Sequence, residues 1–288
     1  MKVLQILFPV FSLVLVGFLY AKRFAPDMRA VNAMVLYLFL PALIFDVMAS
    51  GEFSVAAYKW LAVASFIIVI GSGIMAWPLT RILKLPVRSF VPCMMFNNCG
   101  NLGLPLAVLA FGESALAGAM VLFLVSNLMH FTLGTMLLGG VVTLSALILN
   151  PVNLATLAGL GFNIAGVTLP GTLALPISML GDIGIPLMLV SLGVRMANSD
   201  ASNLWAGALA AVLCPLTGLI VGLMLAQVLP LSPEQVGLML LFSVLPPAVL
   251  NFLFAEQYQQ HPDQVASMVL MGNLGSIVVL SLVLSWLI

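Results

Sequence analysis

The sequence predicts an all-α integral membrane protein with ten transmembrane helices, arranged as two inverted five-helix repeats in which helices 4 and 9 are broken and cross each other. Three observations carry this prediction. The chain of 288 residues is 63% apolar and only 6% charged, whereas about a quarter of the residues of a soluble globular chain are charged. It consists of successive long apolar stretches, and landmarks of its first half recur in its second half.

The apolar stretches have the length of membrane spans, about 20 residues each. Ten are present, at residues 4–21, 31–50, 56–82, 88–112, 115–139, 152–169, 171–196, 203–229, 234–258 and 263–287. They leave no loop long enough for a soluble domain, so residues 1–288 are predicted to form a single transmembrane domain. The first stretch is longer than a signal-peptide core, and Lys22 and Arg23 follow it without a cleavage site, so we expect it to be a retained helix.

Charge and cysteine content exclude several classes of partner. The formal net charge is zero, which argues against nucleic acid because nucleic-acid binding needs a basic surface. Cys93, Cys99 and Cys214 lie in apolar segments without paired metal spacing, so they are assigned to packing. We expect no metal site, no catalytic residue and no bound cofactor.

Basic residues predict the orientation in the membrane. Seven of the nine Lys and Arg residues fall on one side of the ten-helix arrangement, and only Lys2 and Lys59 fall on the other. The seven are Lys22, Arg23, Arg29, Arg81, Lys84, Arg88 and Arg195. Because Lys and Arg mark the cytoplasmic side, both termini of this multi-pass protein are expected outside the cytoplasm, with the chain in the cell (inner) membrane.

The two halves of the chain resemble each other. Landmarks recur at nearly half the chain length: Pro9 with Pro151, Pro41 with Pro186, and Phe96 with Phe242, at offsets of 142, 145 and 146 residues. The repeats are predicted at about 1–140 and 150–288. Because five helices is an odd number, the second copy enters the membrane inverted, a pattern typical of secondary transporters with a midplane binding site.

The fourth span contains the stretch FNNCGNLGLPL, which is rich in helix breakers and amides. Its candidate site residues are Asn97, Asn98, Asn101, Gly103 and Pro105. Gly permits an unwound backbone, and Pro suits the first turn of a new helix, for which Asn101 is a plausible N-cap. A break is therefore expected near residues 99–104.

The ninth span carries a matching break in SVLPPAVLNF. Pro246 and Pro247 make a continuous helix improbable, so a break is expected near residues 244–247, with Asn251 shortly after it. Two broken helices that cross would free backbone amides at the start of each second half-helix. Those amides, with the positive helix end, would form a site for an anion.

Structural interpretations of the same residues remain open. A single Asn in a membrane helix is often a helix–helix contact, and a single Pro is often only a kink. The presence of three Asn with Gly and Pro, matched by Pro-Pro in the other half, favours the site.

Other polar residues at depth are candidates for ion coupling or for lining the cavity: Asp46, Asp182, Asn127, His130 and Asn273. An acid inside a membrane is costly and is a functional candidate by default, although either acid could be protonated or bonded for structure. His130 suits a helix interface slightly better than a proton carrier. Gly218 and Gly222 permit close helix packing, within one chain or, as the alternative, across a homodimer face.

The chain resembles the auxin efflux carrier family, whose fold is related to that of the bile acid sodium symporters. The motifs are FLPALIF, NNCGNLGLPLAVLAFG and GDIGIPLMLVSLGVRM, with PPAVLNFLFAEQY and MGNLGS near the end. The resemblance implies crossed broken helices around the site, with substrate contacts at residues 97–105 and around Pro246 and Pro247. It also implies a carboxylate-bearing substrate. The long hydrophilic loop of many plant members is missing, as in compact prokaryotic members.

The function expected from these observations is secondary active transport of a small organic anion, a mono- or dicarboxylate, coupled to H⁺ or Na⁺. Two alternatives stay open: a sodium symporter of the bile-acid type, which needs oxygen ligands around a cation, and a passive anion channel. An enzyme is not expected. Asp46 and Asp182 fit neither the YD nor the GxGD motif of membrane aspartyl proteases, and no HExxH is present.

Overall fold

The structure is a computed structural model that describes residues 2–50, 53–199 and 202–288. Regular structure in these residues is entirely helical, which confirms the all-α class. The helices are α1 (Lys2–Phe24), α2 (Arg29–Ala49), α3 (Val55–Leu83), α4 (Val87–Met95), α5 (Cys99–Phe111), α6 (Ala115–Leu137), α7 (Leu144–Ile148), α8 (Pro151–Ile164), α9 (Gly171–Asn198), α10 (Leu204–Val228), α11 (Pro233–Ser243), α12 (Val249–Gln257) and α13 (Pro262–Leu287).

Seven helices in the described residues are long and apolar enough to cross a membrane: α1, α2, α3, α6, α9, α10 and α13. The chain is therefore a multi-pass membrane protein. Two of the other predicted spans, 88–112 and 234–258, each contain two shorter helices, α4 with α5 and α11 with α12. The remaining span, 152–169, contains the 14-residue α8.

Several helices begin where the sequence places a capping residue before an apolar run. Asn150 Oδ1 accepts a hydrogen bond from the Val152 N–H at 3.0 Å, and Pro151 occupies the first helical position of α8. Ser232 and Gln235 form a reciprocal capping box at the start of α11. These side chains satisfy N–H groups that lack a partner within the helix.

The chain packs as two compact units, each drawn from both halves of the sequence. The first unit contains Met1–Phe8, Lys59–Val142 and Ser199–Ile288, and the second contains Pro9–Tyr58 and Thr143–Asn198. Within the second unit α2 packs against α8 and α9. There the Lys22 ammonium donates to the Ala197 carbonyl at 2.9 Å, near the C-terminus of α9, where a positive charge is favourable.

The first unit contains the segments of the fourth and ninth predicted spans, and glycine sets one of its closest helix contacts. A Cβ on Gly218 of α10 would collide with the backbone carbonyl of Ser243 at the end of α11. A Cβ on Gly222 would lie 3.0 Å from the Ser243 hydroxyl. These two glycines therefore serve packing within the chain, the first of the two uses considered for them.

Candidate functional site

Helical hydrogen bonding in the fourth predicted span is interrupted at residues 96–98. Helix α4 ends at Met95, Phe96 has an extended backbone, and α5 begins at Cys99. The first turn of α5, Cys99–Gly103, is π-helical and continues into the α-helical part Leu104–Phe111. The interruption therefore lies a few residues before the expected 99–104, because the π-helical turn incorporates those residues.

The ninth predicted span is interrupted between α11, which ends at Ser243, and α12, which begins at Val249. Pro246 and Pro247 lie within these five intervening residues. Neither proline can donate a backbone hydrogen bond, so no helix ladder can run through them.

The two interrupted segments, residues 96–98 and 244–248, pair with each other, and we call them the crossover. The Asn98 N–H donates to the Pro246 carbonyl at 2.8 Å, and the Ala248 N–H donates to the Phe96 carbonyl at 2.9 Å. Asn97 and Pro247 form an isolated antiparallel bridge between them. Backbone groups that would otherwise be unsatisfied in an apolar environment thus satisfy one another.

Asn97 fastens the crossover to the end of α11. Its Nδ2 donates to the carbonyls of Phe242 at 3.1 Å and Ser243 at 3.2 Å. Its Oδ1 accepts from the Cys214 thiol at 3.4 Å. The side chain is therefore committed to the last carbonyls of a helix, which have no partner within that helix.

Asn98, Asn251 and Asn273 are brought together around the same segments, and all three are buried. Asn98 Nδ2 donates to Asn273 Oδ1 at 3.0 Å, and Asn273 Nδ2 donates to the Pro247 carbonyl at 3.2 Å. Asn251 Nδ2 donates to the Phe96 carbonyl at 3.0 Å. Two of these amides, Asn251 and Asn273, thus bind the crossover backbone directly, and Asn98 joins it through Asn273.

Asn101 differs from these amides. It is half-buried, and its side chain takes part in none of the hydrogen bonds of the described residues. The expectation that Asn101 caps a helix beginning at Pro105 is wrong, because α5 starts at Cys99, with Asn98 in the cap position and no side-chain capping bond. Asn101 instead lies within the first turn of α5, with a free amide.

The first turn of α5 also supplies free backbone donors. The Cys99 N–H donates to the Asn97 carbonyl, and the N–H groups of Leu102 and Gly103 donate to the Asn98 carbonyl. Among the described residues this leaves the N–H groups of Gly100 and Asn101 without a backbone acceptor. They lie at the positive end of α5, where an anion is favourable.

Gly103 and Pro105 lie in the packed part of this segment. A Cβ on Gly103 would lie 2.9 Å from side-chain atoms of both Leu245 and Phe242, so the second interrupted segment approaches too closely for a larger residue. Pro105 is buried in the first turn of the α-helical part of α5. Gly103 therefore sets the approach of the two segments.

A small cavity of about 20 Å³ lies beside the crossover, which is room for about one water molecule. Its lining residues are Ser65, Ile68, Val69, Met95, Asn97, Cys99, Leu122, Ser126 and Phe242. Sequence reasoning missed Ser65 and Ser126 and assigned Cys99 to packing alone. Ser126 precedes Asn127 in the same polar stretch, a signal that could have identified it.

His130 and Asn127 lie on α6 beside this region. The His130 ring stacks on Phe96, with centroids 4.1 Å apart and planes 6° apart, and its edge meets Phe254 at 5.0 Å. A second π-helical turn, His130–Gly134, begins at this histidine. His130 thus contacts the first residue of the crossover directly.

Asp46 and Asp182 lie in the second unit, where α2 packs against α9. The Asp46 carboxylate lies near Ser178 and near the charge of Asp182. Ser178 and Asp182 are four residues apart on α9, hence on one face of that helix. Asp46 is half-buried, and Asp182 lies exposed on the surface of the protein chain. The two acids therefore form one group in the second unit.

The comparison with known families agrees with these features. The model of a family described as "Membrane transport protein" matches residues 2–141 and 135–284. The chain belongs to this membrane transport family. The resemblance to the auxin efflux carriers is thereby confirmed, and since the family consists of transporters, the chain is not an enzyme.

Two relatives of this membrane transport protein extend the comparison. It is 25% identical to a protein of Rhizobium meliloti (strain 1021) named "Putative malonate transporter", over 96% of this chain and 93% of the relative. It is 33% identical to "Auxin efflux carrier component 8" of Arabidopsis thaliana, over 44% of this chain and 37% of the relative. Both names describe transport, of malonate in the first relative and of auxin in the second.

Proposed function

We propose that this membrane transport protein is a secondary active carrier that moves a small organic anion, a mono- or dicarboxylate, across the cell (inner) membrane by alternating access. The observation that carries the proposal is the crossover, with the free amide of Asn101 and the free N–H groups of Gly100 and Asn101 at the start of α5. These donors suit a carboxylate, whose oxygens accept hydrogen bonds.

The proposed architecture has ten spans in two inverted repeats, with α4–α5 and α11–α12 as the broken spans. The composition of the two units supports it, because each unit draws on both halves of the chain. The offset of 146 residues between Phe96 and Phe242 supports it as well, because both residues lie next to an interruption. The proposed orientation has both termini outside the cytoplasm, and a reporter fused after Ile288 that is active only in the cytoplasm would refute it.

The small volume of the cavity supports a carrier that changes conformation during transport. A volume of about 20 Å³ holds about one water and is too small for a dicarboxylate. Substrate would therefore enter a more open state of the first unit, as alternating access requires. The proposed coupling ion is H⁺, for which Asp46, Asp182 and His130 are the candidate carriers.

The alternatives differ in the chemistry that they require. A sodium symporter would need carboxylate or carbonyl oxygens gathered around a cation, whereas the polar side chains at the crossover are the amides of Asn97, Asn98, Asn251 and Asn273. A passive channel would give flux without exchange. A homodimer remains compatible with either carrier reading.

The proposal is tested with purified protein in liposomes. We expect radiolabelled malonate uptake to saturate, to be stimulated by internal unlabelled malonate in counterflow, and to be independent of sodium. Liposomes that carry no protein provide the background. Uptake that does not saturate and shows no counterflow would favour a channel, and a strict sodium requirement would favour the symporter.

A further inference from the structure

Among the described residues, four buried side-chain polar atoms have no hydrogen-bond partner, and three of them belong to the first unit. These three are Asn127 Nδ2, His130 Nε2 and Asn251 Oδ1. Buried polar groups in proteins are normally paired, so each exception requires an explanation. His130 and Asn251 are only 4% and 3% exposed.

The three side chains, which we call the cluster, lie in the same region of the first unit. Asn127 and His130 lie three residues apart on α6, so their side chains share a helix face. The Asn251 side chain lies beside the imidazole. The ring of Phe96 stacks on His130, and Phe254 closes the other side with an edge contact.

The cluster is joined to the crossover through Phe96. The carbonyl of Phe96 accepts the Ala248 N–H of the crossover and also Asn251 Nδ2, at 2.9 and 3.0 Å. One Nδ2 hydrogen of Asn251 is held in this way, and its unpaired Oδ1 can accept a hydrogen bond from the imidazole. A change at His130 therefore reaches the crossover by ring contact with Phe96 and by the amide of Asn251.

The two asparagine atoms suit different protonation states of histidine. A neutral imidazole has one donor and one acceptor nitrogen, whereas an imidazolium has two donors. Asn127 Nδ2 is a donor and can pair with an unprotonated Nε2. Asn251 Oδ1 is an acceptor and can pair with a protonated one. The cluster thus offers a partner to each form.

Among the residues that the structure describes, no charged side chain is paired with His130. Its described interactions are with Phe96, Phe254 and Asn251, and none joins it to Asp, Glu, Lys or Arg. The titratable group packed against this cluster is the Tyr258 phenol, whose ring meets Phe254 at 6.2 Å. A buried charge is costly unless it is paired, and an anion at the crossover would provide the opposite charge.

We propose that His130 takes up one proton together with the substrate anion, and that Asn251 couples this protonation to the crossover. The inference rests on the proposed function and names the proton site that accompanies the anion. The proton is delivered by a hydronium ion: one O–H bond of that ion breaks and leaves a water molecule, and an N–H bond forms with the Nε2 lone pair. Binding linkage is reciprocal, so the anion binds more tightly as the pH falls.

The test uses the histidine content of the chain, which has only two histidines. His261 is exposed, so His261→Gln leaves one imidazole signal for ¹⁵N NMR of the full chain in nanodiscs. Without malonate we expect a neutral His130 with its proton on Nδ1 and with Nε2 as acceptor. With saturating malonate we expect His130 to take up a proton between pH 8 and pH 5.

Binding measurements supply the second readout. In equilibrium dialysis, malonate affinity of the wild type and of His261→Gln should rise by up to about tenfold for each unit of falling pH, the limit for one linked proton. His130→Gln, which keeps a side chain that can donate and accept hydrogen bonds but cannot be protonated, should bind malonate with little pH dependence. Asn251→Leu should reduce the dependence as well.

Two results would overturn the inference. One is a His130 titration that is identical with and without bound malonate. The other is a neutral His130 that already carries its proton on Nε2 in the protein without malonate. Nε2 could then not take up the proposed proton, and this result counts whether or not malonate binds. Failure of the proposed function is seen separately, as absence of malonate binding in dialysis at every pH.

Discussion

The N–H of Asn98 donates to the carbonyl oxygen of Pro246 at 2.8 Å, across 148 residues of chain. Asn98 follows the first interrupted helix, and Pro246 lies within the second. Each interruption alone would leave backbone N–H and C=O groups unpaired in an apolar environment, which is costly. This bond pairs backbone groups of one interruption with those of the other. It also holds the start of α5 beside the second segment, so the free donors of α5 are fixed in position.

The Asn98 side chain is expected to stabilise this pairing. In Asn98→Ala the Asn273 Oδ1 loses its partner at 3.0 Å and becomes a buried unpaired acceptor, which costs about 1–3 kcal/mol. Thermal unfolding in detergent should show the loss. Asn273→Ala should be similarly unstable, and the double variant should be less unstable than the sum because the two residues share one hydrogen bond. Strict additivity would contradict the pairing.

Glycine at position 218 is predicted to be required for the packing of α10 on α11. Gly218→Ala places a methyl group against the Ser243 carbonyl, and overpacking of this kind typically costs about 1–3 kcal/mol. The matched control is Gly161→Ala, because a Cβ there meets nothing within 4 Å and Ala favours a helix. We expect a lower unfolding temperature for the first variant only. Equal unfolding temperatures of the two variants would show that Gly218 and the Ser243 carbonyl do not pack as closely as described.

Asp46 and Asp182 are expected to act together in proton coupling. They lie on packed helices of one unit, and the charge of Asp182 acts on Asp46. Asp182→Asn and Asp46→Asn should each reduce the acceleration of malonate uptake by a pH gradient, while malonate binding and the proton taken up at His130 are largely retained. The double variant should lose nothing further.

The control for this experiment is Asp27→Asn, the same chemical change at an exposed ion pair with Arg29. The Arg29 hydrogen bonds hold the pKa of Asp27 at about 2, below the ordinary 3.8. Asp27 therefore becomes protonated, and the ion pair is lost, only as the pH falls through that acidic range. The variant should keep the gradient dependence of the wild type. If a pH gradient accelerates malonate uptake by Asp182→Asn as much as by the wild type, Asp182 has a structural role only.

The local signals of the fold were readable in the sequence because they arise from backbone chemistry. Pro246 and Pro247 cannot donate, and the amides and glycines around Asn97 weaken a helix, so both interruptions could be expected within a few residues. The first was misplaced because the π-helical turn Cys99–Gly103 has no distinct sequence pattern.

Long-range pairings could not be predicted in the same way. Asn98 and Asn273 are 175 residues apart, and Cys214 and Asn97 are 117 apart, so their contacts depend on the packing of the whole unit. The sequence identified Asn98, Asn251 and Asn273 as site residues, but only the structure shows that their amides hold the crossover. It also shows that the Asn101 side chain takes part in no hydrogen bond of the described residues.

The most direct test of the central claim, an anion site at the crossover, is equilibrium binding of malonate to Asn101 variants. Asn101→Ala removes the free amide and should weaken binding by about tenfold to a hundredfold, the equivalent of about 1–3 kcal/mol. Asn101→Asp should bind still more weakly, because it sets a negative charge against the anion. Asn32→Asp, the same substitution in the second unit, is the control and should bind as the wild type does. If Asn101→Asp binds malonate as tightly as the wild type, the site is not at the crossover.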